Sequence, residues 1–386
     1  MRRRSTARTK GFSLLEMMIA MALGLVVLAA AVQLFSKGVD ATWTVSQRAE
    51  MQQDFRAAAN MLTKDVSMAG SGMGNNVQIA LPSGNGIQVP VYGCDQTPTC
   101  YINGTAVAYP TQLVGGVNVP YLYALIPGWK FGPTLNASAG PTDAVTVVNA
   151  DTNFLLSCYT ASVTSSTVVR FTLNSPLPVT CVVPPPLTAP QALNDAVIGL
   201  TPGDLVLFNV TIGVGPGATS STVIGEVTNV TPRGGNVYDV AFAAGDPLRM
   251  NQPTSAAGSI NNIVGGSGSG TRINVISYYI DNTITPPRLM RQISGHSPVP
   301  VAENLAFLQF SYDLYNFNTG AILTDQADGG ASQSMTPNQI TKINIKHMSI
   351  TSTLHGTKGY QGLDLQTSVS ARDLTFKNDY PLSNGP

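Results

Sequence analysis

The stretch Lys10-Gly11-Phe12-Ser13-Leu14-Leu15-Glu16 opens the apolar run FSLLEMMIAMALGLVVLAAAVQLF at residues 12–35, which holds one charge, Glu16, and one amide, Gln33. As a helix rising about 1.5 Å per residue the run is about 36 Å long, enough to cross a hydrocarbon core of about 30 Å. Residues 1–11 carry Arg2, Arg3, Arg4, Arg8 and Lys10 and no acid. Bases on that flank predict a cytoplasmic leader at 1–11 and an exported body. The run exceeds the apolar region of an ordinary signal peptide, and no small-x-small cleavage signal ends it.

Glu16 sits among Phe12, Leu14, Leu15, Met17, Met18 and Ile19. A carboxylate placed in lipid is costly and needs a partner. The segment offers no base after Lys10. Cleavage after Gly11 would create one, the α-amino group of Phe12, on the same chain or on a neighbour.

The helical pattern continues beyond the run. Met51, Phe55, Ala58, Leu62, Val66 and Ala69 recur at intervals of three and four, with polar residues between them, and Gly70-Ser71-Gly72 follows. This spacing predicts one apolar stripe. Residues 12–69 read as one helix of about 87 Å, or as two pieces broken near Gly38. Residues 75–386 read as an antiparallel β-rich head in two parts, 75–200 and 201–386, so the expected fold class is α+β. Strand-like runs include Val168–Leu173, Leu205–Ile212, Val223–Val230 and Ile273–Asp281. Gly265–Gly270 reads as a flexible loop.

Only 11% of the 386 residues are charged, and Gly (37) and Pro (26) are plentiful. That composition suits short strands and many turns rather than a helical bundle. Beyond residue 11, sixteen bases face twenty-one acids, a net of −5. A mildly acidic body predicts no nucleic-acid partner. Cys94, Cys100, Cys158 and Cys181 lack the spacing of a metal site, and in an exported chain they read as disulfide candidates. Cys94–Cys100 and Cys158–Cys181 close the shortest loops of the three possible pairings.

Lys10-Gly11-Phe12 with Glu16 resembles the class III signal of type IV prepilins and type II secretion pseudopilins. The resemblance implies cleavage by prepilin peptidase between Gly11 and Phe12, N-methylation of Phe12, and an assembly role for Glu16. It implies packing of the N-terminal helix against other minor and major pilins, first in the bacterial inner membrane and then in a pilus at the cell surface. Gly203-Asp204-Leu205-Val206-Leu207, Ser277-Tyr278-Tyr279-Ile280, Arg288-Leu289-Met290-Arg291 and Leu308-Gln309-Phe310-Ser311-Tyr312 follow an order similar to the large minor pilins of the PilW type, relatives of the GspJ pseudopilin. The expectation is a structural minor pilin without catalytic residues or cofactor. The alternatives are a type II secretion pseudopilin and a membrane-anchored periplasmic enzyme or binding protein.

Competing chemistry is poorly supported. The glycines at 265–270 do not open a helix, so they make no phosphate cradle. No GxSxG elbow occurs. Asp313, Asn316, Asn318 and Gly320 lack EF-hand spacing and fit an Asn-rich turn better than a calcium loop. His347 and His355 have no HExxH context, so no metal is expected.

Overall fold

The computed structural model describes residues 11–370 apart from 74–77, 83–86, 89–91, 95–98, 103–104, 109–110, 115–116, 137–139, 152–153, 155, 180, 182, 184–188, 191, 249, 253–257, 317–318, 331–332, 334 and 354–359. One helix, α1, runs unbroken over Leu14–Ser67. It contains no proline, and Gly38 does not interrupt it. Gly70 and Gly72 follow it with φ of 76° and 70°, left-handed values that glycine adopts without steric cost.

The chain divides into two compact units; one division falls within α1 between Gln53 and Asp54, and Ser352–Gln361 belongs to the first unit. In the first unit the run at 14–35 leaves its apolar side chains exposed, Leu25 by 67% and Phe35 by 76%, whereas Met51 near the unit's end is buried. In the second, Phe55, Ala58, Leu62 and Val66 of the helix, with Ala69 just past its end, are buried. The predicted stripe is the face on which the head is built.

Among the described residues the head's main sheet has eleven strands: β1 (Leu125–Gly128), β2 (Ala144–Ala150), β3 (Tyr159–Ser165), β4 (Val168–Leu173), β5 (Leu205–Ile212), β6 (Thr219–Glu226), β7 (Asn229–Gly234), β8 (Val237–Ala241), β9 (Ser267–Asp281), β10 (Arg288–Ile293) and β11 (Val299–Glu303). The strand pairs described in this sheet are antiparallel. The fifteen-residue β9 joins two groups of strands. Its first half lies in the order β6-β5-β9-β3-β4-β8-β7, and its second half pairs with β2 and β10, which in turn pair with β1 and β11. Residues on both sides of position 200 share this sheet.

Alternation along β5 divides the core between two faces. Leu205 and Leu207 join Ile224, Ile273, Val275 and Val148 on one side. Val206, Phe208 and Val210 join Phe171, Val240 and Phe242 on the other. A second sheet of four strands follows in the order β13-β12-β14-β15, from β12 (Leu305–Tyr315), β13 (Ile322–Gln326), β14 (Ile340–Thr353) and β15 (Tyr360–Ser370). Asp143 ties it to the main sheet. Its N–H donates to the Leu308 carbonyl, while its carboxylate accepts the N–H groups of Phe310 and Lys130 at 2.9 and 2.7 Å. Burial pushes the Asp143 pKa up to about 6, against the opposing pull of those two N–H donors.

Two strand expectations are corrected. Of the loop expected at Gly265–Gly270, only Gly265 and Gly266 lie outside a strand, because Ser267–Gly270 opens β9 and pairs with β5. A Cβ at Gly268 would collide with the Asn209 carbonyl, and one at Gly270 would press on Phe171 and Val206. These glycines permit close packing rather than flexibility. The single strand expected at Val223–Val230 is two strands, β6 and β7. The chain turns between them, where the Val227 N–H donates to the Asp204 carbonyl and the Thr228 N–H to the Ala241 carbonyl.

Candidate functional site

The N-terminal junction is bare. A Cβ at Gly11 would meet nothing within 4 Å, and Phe12 is 90% exposed. Residues 1–10, the rest of the expected leader, lie outside the described residues. Gly11 has neither a left-handed φ nor a crowded neighbour, so the folded chain itself does not require glycine there.

Ser13 and Glu16 close the start of α1 reciprocally. The Ser13 N–H donates to Glu16 Oε2 at 2.9 Å, and the Glu16 N–H donates to Ser13 Oγ at 3.2 Å. This is a capping box, which satisfies two N–H groups that the first helical turn cannot pair. The acid also lies at the positive end of the helix dipole. The motif Ser-x-x-Glu was present in the sequence and the reading of Glu16 overlooked it. A carboxylate has about four acceptor positions on two oxygens, and the cap uses one of them. Glu16 can therefore hold its own helix start and still accept an ammonium group.

Further along, the head grips α1 through a buried polar cluster. Asp65 Oδ2 accepts the Tyr278 hydroxyl at 2.6 Å and the Arg291 Nε–H at 2.7 Å. Tyr278 is fully buried, and Asp65 nearly so. Burial and the adjacent Asp65 carboxylate raise the Tyr278 pKa, so the phenol keeps its proton and donates. Sequence spacing gave no hint of this cluster, since Asp65 lies 213 and 226 residues from its partners. Arg291 stands in the block Arg288–Arg291 that carried the family resemblance.

Cys158 and Cys181 form a disulfide, with Cα atoms 4.9 Å apart across a separation of 23 residues. Cys94 and Cys100 stand opposite each other where Tyr92–Cys94 pairs with Thr99–Ile102. Their side chains lie outside the described residues. His347 Nδ1 is 3.0 Å from Asp364 Oδ2, and His296 Nε2 is 2.9 Å from Asp204 Oδ1. The hydrogen bond to Asp204 raises the His296 pKa above 6.5. His355 and Asn318 lie outside the described residues. Asp313 Oδ1 is occupied by the Asp325 N–H and the Asn344 amide. Among the described residues, no three His, Cys, Asp or Glu side chains form a metal cluster.

Residues 6–32 match the family model described as the prokaryotic N-terminal methylation motif. No curated protein and no solved structure matched. The motif, with the apolar helix and the antiparallel head, supports a type IV pilin-like protein. The motif implies processing by prepilin peptidase and assembly with pilins. With the helix it supports anchoring in a membrane and association with a pilus.

Proposed function

We propose that this chain is a structural minor pilin of the PilW type. It is cut between Gly11 and Phe12, N-methylated at Phe12, and built into a type IV pilus through α1. The single observation that carries this reading is Glu16, a carboxylate on the bare apolar helix, four residues from a scissile glycine junction. The apolar surface supplies adhesion between neighbouring helices without fixing their axial position. The ion pair between Glu16 and a neighbour's Phe12 amine supplies that register. An unanswered acid at the bilayer centre costs about 2.5–3.5 kcal/mol on insertion scales. The size of the head and its order of sequence blocks support a minor rather than a major subunit. We assign the chain no catalysis; its role is to promote assembly or to join a tip complex. On this reading the head is periplasmic before assembly and exposed on the fibre afterwards.

Mass spectrometry of the mature N-terminus tests the reading directly. The expected product begins with N-methyl-Phe12. An intact Met1, or cleavage beyond residue 30, contradicts it. Gly11→Val should leave the leader attached, although the folded chain has room for the larger side chain. Glu16→Ala should be processed normally yet be lost from sheared filaments. Equal incorporation of Glu16→Ala would remove the assembly role.

A further inference from the structure

On the half of the main sheet that carries β6-β5-β9-β3-β4-β8-β7, the face that buries Leu205, Leu207 and Ile224 at one end is exposed further along β5, at Asn209 and Thr211. Register places Ser220, Thr211, Ser267, Ser162, Arg170 and Asp239 directly opposite one another on successive strands. Opposed residues share a face, so these six form one row across six strands. Thr222, Asn209 and Ser269 repeat the pattern two residues along β5. The residues between these rows, such as Phe208, Val210 and Phe171, point the other way into the core. The open face is thus a shallow field of small neutral hydroxyl and amide groups, one per strand at about 4.8 Å intervals. No large apolar side chain interrupts either row.

Charge is gathered at one end of the field. Asp239 accepts two bonds from Arg170, at 2.8 and 3.2 Å, and one from the Arg233 Nε–H at 2.7 Å. Two guanidinium groups against one carboxylate leave a net charge of +1, on a body that carries −5 beyond residue 11. Asp239 is nearly buried, whereas the Arg170 and Arg233 side chains are 44% and 58% exposed. This pairing uses the Arg233 Nε–H and leaves its two terminal nitrogens uncommitted to Asp239.

The geometry points to an extended anionic polysaccharide as the partner of this face. Sugar hydroxyls and Ser/Thr hydroxyls each both donate and accept, so a chain of sugars can exchange hydrogen bonds along a row. A sugar carboxylate suits the remaining N–H groups of Arg233 at its end. A protein partner would need apolar anchors that the face lacks. A nucleic acid would need a broader basic surface than two arginines sharing one acid.

The inference is independent of the leader and can fail while the pilin reading stands. The full chain in detergent is passed over immobilised alginate, with dextran as the uncharged control and polyglutamate as an anionic competitor without hydroxyls. Retention on alginate should exceed that on dextran at least tenfold, and polyglutamate should compete weakly. Arg233→Ala leaves Arg170 holding Asp239 and should lower retention at least fivefold. The near-isosteric pair Thr211→Val and Ser267→Ala should lower it at least threefold, with an unchanged melting temperature. Equal retention on dextran, full competition by polyglutamate, or indifference to both variants overturns the proposal.

Discussion

Glu226 has no exposed surface, and its carboxyl lies where a Cβ at Gly295 would collide with it. Its Oε2 accepts the Leu248 N–H at 3.0 Å. Burial, reinforced by Asp246, pushes its pKa up to about 9, so the folded protein holds a neutral acid there at pH 7. The ordinary value is 4.5. The folded state therefore keeps a proton that the unfolded chain gives up. This contribution to stability is complete below pH 4.5 and is lost as pH rises through about 9. Glu226→Gln keeps an oxygen for Leu248 and an N–H for Asp246 but cannot ionise. Melting curves between pH 6 and 9 should fall less steeply for the variant than for the parent; identical slopes would show that Glu226 is already charged. His296 acts in the same direction, since its pKa is raised by Asp204. Its share is present below pH 6.5 and fades as pH climbs past the raised value. Glu16 teaches a different lesson at this scale. Reading it for lipid cost identified the carboxylate, while its cap with Ser13 was legible from four adjacent residues and needed no tertiary information.

Within α1, equal residues have unequal worth. Leu62 is fully buried and Leu25 is 67% exposed. Leu62→Ala should destabilise the head by about 2–5 kcal/mol through lost burial and a residual cavity. Leu25→Ala should leave head unfolding unchanged, as urea melts followed by near-UV circular dichroism can establish. Asp65→Asn removes the charge that answers Arg291 and should cost about 1–3 kcal/mol in the same assay. The helix was legible because its signals are local: a long apolar run, then a stripe with the 3.6-residue period. Val168–Leu173 and Leu205–Ile212 were legible to the residue, being rich in β-branched side chains between turn residues. The start of β9 was not. Ser267-Gly268-Ser269-Gly270 has a linker's composition, and only Asn209 and Phe171, distant in sequence, force it to be a strand. Gly268→Ala should therefore destabilise, by about 1–3 kcal/mol as overpacking does, whereas a true loop would tolerate it.

For the molecule as a whole, the division of labour followed from composition and the placement of charge. A basic N-terminal stretch, an apolar run and a charge-poor body each occupy their own part of the sequence. The joints inside the head did not follow, because they rest on residues such as Asp143 and Phe310 that meet only after folding. The Cys158–Cys181 bond bears on folding as a whole. Closing a loop across 23 residues should contribute about 3 kcal/mol by restricting the unfolded chain. Cys158→Ser with Cys181→Ser should lose about that much in a denaturant melt. The same bond also separates copies by compartment. Thiols stay reduced in the bacterial cytosol and oxidise beyond the inner membrane. On the proposed reading, a copy stalled before export would, once unfolded in denaturant without reductant, react at positions 158 and 181 with an alkylating reagent, whereas one that has crossed would be inert there. Counting alkyl labels by mass would thus time translocation separately from leader removal, and tell a chain that was never exported from one that was exported but never trimmed.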